Sequence, residues 1–422
     1  MSQSPSLCRK SNIINFKGGI LTMEEKFFEL VSQYKDEIVQ TASEMIQINS
    51  QSTQEGEFAE YVVNKMQELG YDEVEVDPYG SVFGTVKGTG NGSSVMLNCH
   101  LDVVDAGDES KWKYPPYSGA IAEGKIWGRG ASDTKGTFAI QLYTPIMLKR
   151  AGLLPKGDLV VAGVVAEEIA GFGAMMQTKD NYKLTDYAIV GEATENDLAI
   201  GSKGRFCAVV KIMGKSCHAS IPEEGKNPFD FLGKFLVELK DMELGSDDFF
   251  GSSIASPTNI TSSEKGTNII PNEVVLYIDY RQSSVDTEEV AIGRIKEVAD
   301  KCKVDGIDVE VSALYFPLTT YTGYEGLGYQ GEYPFSVSPD EPYVKLCKKA
   351  LQEATGRNIK TKAWAFATDT GHYATKGVKC IGYSPAEIKL CHTTEDNIDI
   401  KMMEEGILGY MVLSRELANQ EK

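Results

Sequence analysis

From residue 24 to 50 the apolar side chains keep helical spacing, with Phe27, Leu30, Val31, Tyr34, Ile38, Ala42, Met45 and Ile46 on one side. A second amphipathic stretch, 58–69, stops at Gly70, a residue suited to ending a helix. The rhythm then changes. Short apolar runs at 74–76, 81–86 and 95–99 read as strands, the last two separated by Gly88-Thr89-Gly90-Asn91-Gly92. Those glycines join two strands rather than open a helix, so they mark a hairpin or loop and not a phosphate-binding turn. Further buried-strand runs at 159–165, 188–190 and 380–383 are interleaved with helical stretches such as 137–151 and 343–355. Strands and helices in alternation predict an α/β layer on a mainly parallel sheet.

Residues 203–314 follow another order: strand 206–213, helix 228–242, strands 258–262 and 274–280, helix 287–302, strand 308–312. This β-α-β-β-α-β sequence is the ferredoxin-like α+β pattern and predicts an inserted domain able to fold alone. Residues 315–339, rich in Tyr, Gly and Pro, are expected to form the return loop. The division is therefore 23–202 with 315–422 as one domain, and 203–314 as the other. Residues 1–22 lack helical periodicity, and Lys17-Gly18-Gly19 reads as the translation of a purine-rich ribosome-binding sequence. Translation is accordingly expected to begin at Met23, with 1–22 a non-native or disordered extension.

Composition narrows the partners. With 42 Lys and Arg against 61 Asp and Glu, the chain carries a net charge of −19. Such a surface repels phosphate backbones and anionic lipid, so neither nucleic acid nor membrane is expected as a partner, whereas cations suit it. No apolar run approaches the ~20 residues of a membrane-spanning helix. The eight cysteines form no Cys-x-x-Cys pair and sit mostly in apolar runs, and residues 1–22 contain no secretory apolar segment. Reduced thiols and a cytoplasmic location are expected.

Candidate chemistry collects where strands end. His100-Leu101-Asp102 follows the run 95–99; residues two apart share a face in extended chain, so Asp102 is expected to accept the second N–H of His100. The glycine-rich segment from Gly128 to Gly136 presents Asp133 just before a helix. Glu167-Glu168 follows the run 159–165, and both can reach one site only if the strand has already ended. Glu192 follows 188–190, and His392 lies near the C-terminus. Taken singly, each has a plainer explanation: a structural hydrogen bond, a turn, a solvated edge. Together they stand where open sheets place ligands, and so many like charges call for a cation.

In this order the motifs resemble the dinuclear zinc amidohydrolases and peptidases that include acetylornithine deacetylase, succinyl-diaminopimelate desuccinylase, aminoacylase and the glutamate carboxypeptidases. The resemblance runs from about residue 25 to 417. Within that family, Ser216-Cys217-His218-Ala219-Ser220 and the tract 112–119 most resemble the branch of hydrolases found with anaerobic purine and selenium metabolism genes. The resemblance implies two Zn²⁺, or Co²⁺ or Mn²⁺ in their place, bridged by Asp133 in the first domain. His100 and Glu192 would complete one site, Glu168 and His392 the other. Asp102 would orient His100, and Glu167 would be the general base acting on a metal-bridged hydroxide. The inserted domain would be a lid and dimerisation unit. Its His218 would donate to the oxyanion, often across a homodimer, while Asn268 and Arg281 hold the substrate. Arg281 would fork onto a carboxylate, unless it is a structural partner of Asp279.

Three features depart from the family. The loop Phe366-Ala367-Thr368-Asp369-Thr370-Gly371-His372 stands where many relatives carry paired glycines; Asp396, not Glu, follows His392 by four residues; and His372 has no family role and reads as structural or on the pocket rim. The function implied is a metal-dependent hydrolase of an amide-type bond (N-acyl, peptide or ureido) in a small carboxylate-bearing substrate. The alternative is a non-catalytic metal- or amino-acid-binding protein on the same scaffold, against which the retention of Glu167 argues. Serine nucleophile chemistry has no Gly-x-Ser-x-Gly elbow to support it.

Overall fold

The computed structural model of the chain describes residues 22–422. The expectations for residues 1–22 therefore fall, Thr22 apart, outside the described residues. Thr22 caps the helix Met23–Gln47: its hydroxyl accepts from the Glu25 amide while the Glu25 carboxylate accepts from the Thr22 amide. The next helix, Gly56–Leu69, ends at Gly70, which sits at φ +90° as a left-handed cap requires.

A nine-stranded sheet forms the centre of the molecule. Its order is Glu73–Val76, Val82–Val86, Leu159–Val164, Val95–His100, Tyr187–Val190, Lys379–Gly382, Leu198–Ser202 and Phe335–Ser336, with Thr361–Trp364 also paired to Leu198–Ser202. The four strands from Leu159–Val164 to Lys379–Gly382 run parallel, so their carboxyl ends share one edge. Alternation sorts the side chains: Val95, Leu97 and Cys99 enter one core, while Met96 enters the other. Helices Met23–Gln47, Gly136–Arg150, Pro342–Thr355 and Ile400–Ala418 cover the first face. Helices Phe172–Asp180 and Thr370–Ala374 cover the second. Among the described residues no helix is long and apolar enough to cross a membrane, and the seven described cysteines are free thiols.

The glycine segment 88–92 is a loop and not a hairpin, because Leu159–Val164 lies between the two strands it joins. The amides of Thr89 and Gly90 donate to the carbonyls of Pro155 and Lys156.

Residues 204–313 build a separate antiparallel sheet, ordered Ile254–Ser262, Glu273–Gln282, Gly204–Met213 and Asp308–Ala313, the ferredoxin-like order. Phe206, Ala208, Val210 and Ile212 alternate inward with Leu276, Ile278 and Tyr280, and helices Pro228–Glu238 and Glu288–Lys301 cover them. The stretch 315–339 is not a plain return loop. Tyr315–Thr319 and Glu325–Tyr329 form a hairpin, and Gly331–Glu332 then adds to strand Gly204–Met213. Leu318 is buried in the first core and Tyr329 in the second, so this hairpin ties the two together.

Candidate metal centre

The carboxyl ends of the parallel strands deliver the polar groups. His100 closes strand Val95–His100, Glu192 stands two residues beyond Tyr187–Val190, and Glu167 and Glu168 open the short helix Glu167–Ala170. Strand Leu159–Val164 has ended before that pair, and Ala166 turns the chain at φ +52°, which lets both glutamates reach one side. Asp133 comes from the loop before helix Gly136–Arg150. Asp396 fastens this loop, accepting from the amides of Gly130 (2.7 Å) and Ser132 (2.9 Å) and from the Arg129 guanidinium (3.3 Å).

Asp133 faces two histidines. Its Oδ1 lies 2.9 Å from His100 Nε2 and its Oδ2 lies 3.1 Å from His392 Nε2. Glu192 Oε1 approaches His100 Nε2 to 3.5 Å, and Glu168 Oε2 approaches His392 Nε2 to 3.0 Å. Separations of this size are short enough for each pair of groups to stand about 2.1 Å from a shared ion. The five residues thus form two triplets with Asp133 common to both. Glu167 stands beside them, with a carboxylate oxygen within 4.8 Å of donor atoms of His100 and Glu192. Its own carboxylate has no hydrogen-bond or ion-pair partner among the described residues.

Asp102 differs from expectation. The second ring nitrogen of His100 meets the main-chain carbonyl of Asp102 at 2.9 Å, and the carboxylate lies 3.6 Å away, beyond hydrogen-bond reach. That carboxylate instead accepts from the amides of Glu167 (3.0 Å) and Glu168 (3.1 Å) and from the Ser52 hydroxyl (2.6 Å). The preceding amide, of Ala166, donates to Glu55 at 3.0 Å. Two buried carboxylates therefore hold three consecutive amides of the turn that presents Glu167 and Glu168.

Electrostatics show a crowded anionic site. Burial, and then the Asp133 charge, raises the carboxyl pKa of both Glu168 and Glu192; burial, and then Glu332, raises that of Glu167. Burial opposes ionisation of Asp133 too, but His100 and His392 outweigh it and hold Asp133 below the usual carboxylate range. His392 is pushed up to about 10 by its contacts with Asp133 and Glu168.

A cavity of about 300 Å³ opens over this cluster, with Arg205, Arg281 and Glu332 in its walls. Arg281 lines the cavity, and its Nε donates to Asp279 at 2.6 Å, the structural pairing that its sequence left open. His218 and Asn268 lie elsewhere. His218 lies on strand Cys217–His218, paired with Ile269–Ile270, and Asn268 just precedes the latter, its carbonyl accepting from the Ala219 amide; both are exposed, and neither lines this chain's own cleft. His372 is fully buried rather than on the rim. Arg205, Glu332 and Asp369 were not singled out from the sequence. Asp369 sits in the segment 366–372, its carboxyl pushed up to about 7 by burial.

A parallel sheet whose carboxyl edge gathers histidines and carboxylates, joined to a second, antiparallel sheet domain, is the architecture of a family of hydrolases. Residues 96–415 match the peptidase family M20/M25/M40, and the chain belongs to it. The chain is 27% identical over 376 residues to the uncharacterized protein YgeY of Escherichia coli (strain K12), covering 87% of this chain and 91% of that protein. It is 31% identical over 205 residues to a probable succinyl-diaminopimelate desuccinylase of Staphylococcus epidermidis, covering 48% of this chain and 50% of that one. Its fold matches the YXEP protein of Bacillus subtilis, a dinuclear metal-binding peptidase of the M20 family, with a TM-score of 0.68 at 14% identity over 92% of this chain and 99% of that one.

Proposed function

We propose that this protein is a cytoplasmic, metal-dependent hydrolase that cleaves an amide-type bond in a small substrate bearing a carboxylate. The observation that carries the reading is the unpartnered Glu167 carboxylate beside an Asp133 whose two oxygens face two different histidines. Peptidase-family membership supports it.

The donor set fits divalent metal. Imidazole nitrogens and carboxylate oxygens at these separations suit Zn²⁺, with Co²⁺ or Mn²⁺ as substitutes. His100, Asp133 and Glu192 would hold one ion, and Asp133, Glu168 and His392 the other. Bound there, two cations supply Lewis-acid polarisation of the scissile carbonyl and acidify water. Glu167 has the position of a general base: it takes a proton from the attacking water and returns it to the leaving nitrogen. Asp102 and Glu55 keep the backbone of that turn fixed while the proton moves. Arg281, with Arg205 beside it, orients the substrate carboxylate. In a homodimer His218 would reach the partner's cleft and donate to the developing oxyanion, with Asn268 alongside it holding the substrate. The placement of both on the exposed lid, away from their own cleft, supports that arrangement.

The test is turnover of a panel of dipeptides, N-acyl amino acids and N-carbamoyl amino acids by protein supplied with Zn²⁺ or Co²⁺, and by the same protein after chelation. At least one class is expected to be hydrolysed only with metal. Metal and amino-acid binding without hydrolysis of any class would support a binding protein instead.

A further inference from the structure

The hairpin of Tyr315–Thr319 and Glu325–Tyr329 takes no part in the mechanism above, yet it approaches the site from two directions. Its base is fastened to the antiparallel domain. The Leu314 amide donates to the Cys207 carbonyl, the Gln330 amide to the Leu314 carbonyl and the Cys207 amide to the Gln330 carbonyl. Gln330, Gly331 and Glu332, which follow, line the cleft. Its tip crosses to the parallel-sheet domain, where Tyr321 sits in a notch between two glycines. A Cβ on Gly80 would strike Cε1 of the Tyr321 ring, and one on Gly56 would lie 3.1 Å from Cδ2, so the ring fills the space both leave. Its hydroxyl donates to the Gly80 carbonyl at 2.9 Å, and the Thr322 hydroxyl donates to the Pro78 carbonyl at 2.9 Å. Tyr324 meets Tyr79 edge to face, ring centres 4.7 Å apart, and Tyr79 meets Phe172 in the same way at 6.0 Å.

Both walls of the notch lead to the turn that presents Glu167. Gly56 directly follows Glu55, which is fully buried and whose Oε1 accepts from the Thr53 and Ala166 amides, each at 3.0 Å. Gly80 precedes Ser81, whose Oγ accepts from the Val165 amide at 3.4 Å. The Phe172 amide closes the turn from its other end, donating to the Ala166 carbonyl at 3.1 Å. Ala166 itself stands at φ +52°, a conformation that a residue with a side chain keeps only where its surroundings over-determine it. We propose that Tyr321 is a positioning residue for Glu167. Its ring wedges Glu55 and the 78–81 segment against residues 165 and 166, and so fixes the Glu167 carboxylate through the backbone and not by contact. The role assigned to the ring rests on the reading of Glu167 as general base, whereas its hold on the turn can be measured without that reading.

Hydrogen–deuterium exchange of the full, Zn²⁺-supplied chain, read by mass spectrometry, tests the hold on the turn. Peptides covering 164–172 are compared with strand 204–213 as internal reference, in the native protein, Tyr321→Phe, Tyr321→Leu and Tyr321→Ala. Tyr321→Leu and Tyr321→Ala should speed exchange at 164–172 by about tenfold or more and leave 204–213 within about twofold. Tyr321→Phe, which keeps the ring, should stay near native. On the best substrate of the panel above, kcat should fall about tenfold or more in the Leu and Ala variants, with KM and metal content within about twofold, and the Phe variant should retain most of the rate. Should Tyr321→Ala fail to fold, Tyr321→Leu decides. Unchanged exchange at 164–172, or a rise shared by 204–213, would overturn the inference. So would a loosened turn with native kcat, or a rate lost through KM or metal instead; each of these leaves the hydrolase reading standing. If the native chain hydrolyses nothing, the hydrolase reading fails, and the exchange result alone decides whether Tyr321 holds the turn.

Discussion

At the scale of single residues, His100, Glu167, Glu168 and Glu192 were legible because each is announced locally, by a strand that stops and a polar group that follows, while Asp133 was marked by its glycine-rich segment. Asp102 stands beside His100 at 3.6 Å, but it is its main-chain carbonyl that meets the ring nitrogen at 2.9 Å. Sharing a face with His100 requires extended chain, but the strand ends at His100, and beyond it the carboxylate turns to the Glu167 and Glu168 amides. Glu332 and Arg205 were not legible, since nothing in their local sequence tells that a pairing across more than a hundred residues brings both to the cleft. His372 offers a measurable consequence. Burial lowers its pKa to about 4, against an ordinary value near 6.5. Above pH 6.5 it is neutral in both folded and unfolded chains. As pH falls from 6.5 toward 4, the unfolded chain binds a proton that the folded chain refuses, so stability is lost, by about 3 kcal/mol in all. Urea unfolding at pH 7 and at pH 4 should show that loss for the native chain and a smaller one, by about that amount, for His372→Gln. Equal losses would mean that His372 is not held neutral by the fold.

At the scale of elements, periodicity served well where one face is dry and poorly where a segment bridges two bodies. Both layers were anticipated in kind, because strands such as Gly204–Met213 alternate strictly between buried and half-exposed positions. The 315–329 hairpin was missed because its apolar residues serve two cores in turn, Leu318 one and Tyr329 the other, which blurs the alternation of either. Packing between elements also fixes the site from behind. A Cβ on Gly382 would fall 1.9 Å from the ring of the buried Trp364, whose Nε1 donates at 2.8 Å to the carbonyl of Ala193, next to Glu192. Gly382→Ala should therefore destabilise the protein by about 1–3 kcal/mol, as overpacking of a dry core does. Denaturant titration at neutral pH checks it, and a change under about 0.5 kcal/mol would show that Trp364 can move aside freely.

At the scale of the whole molecule, the acid excess read from composition has a local expression in the carboxylates gathered at one sheet edge. The antiparallel domain raises the question of assembly, because its His218 and Asn268 do not line this chain's cleft. If the partner's site uses them, inactive Glu167→Ala and His218→Ala chains, unfolded together and refolded in equal amounts, should recover activity at about a quarter of all sites. No recovery would confine His218 to its own chain or to no role. The central claim, that metal sits among His100, Asp133, Glu168, Glu192 and His392 while Glu167 does the proton transfer, comes down to one comparison. Metal content per chain and kcat on the best substrate are measured together for the native protein, Glu167→Gln and His392→Ala. The account predicts that Glu167→Gln keeps its metal while kcat falls by ~10² or more, whereas His392→Ala loses metal and activity alike. A Glu167→Gln protein that loses metal as His392→Ala does, or that turns over at the native rate, would contradict it.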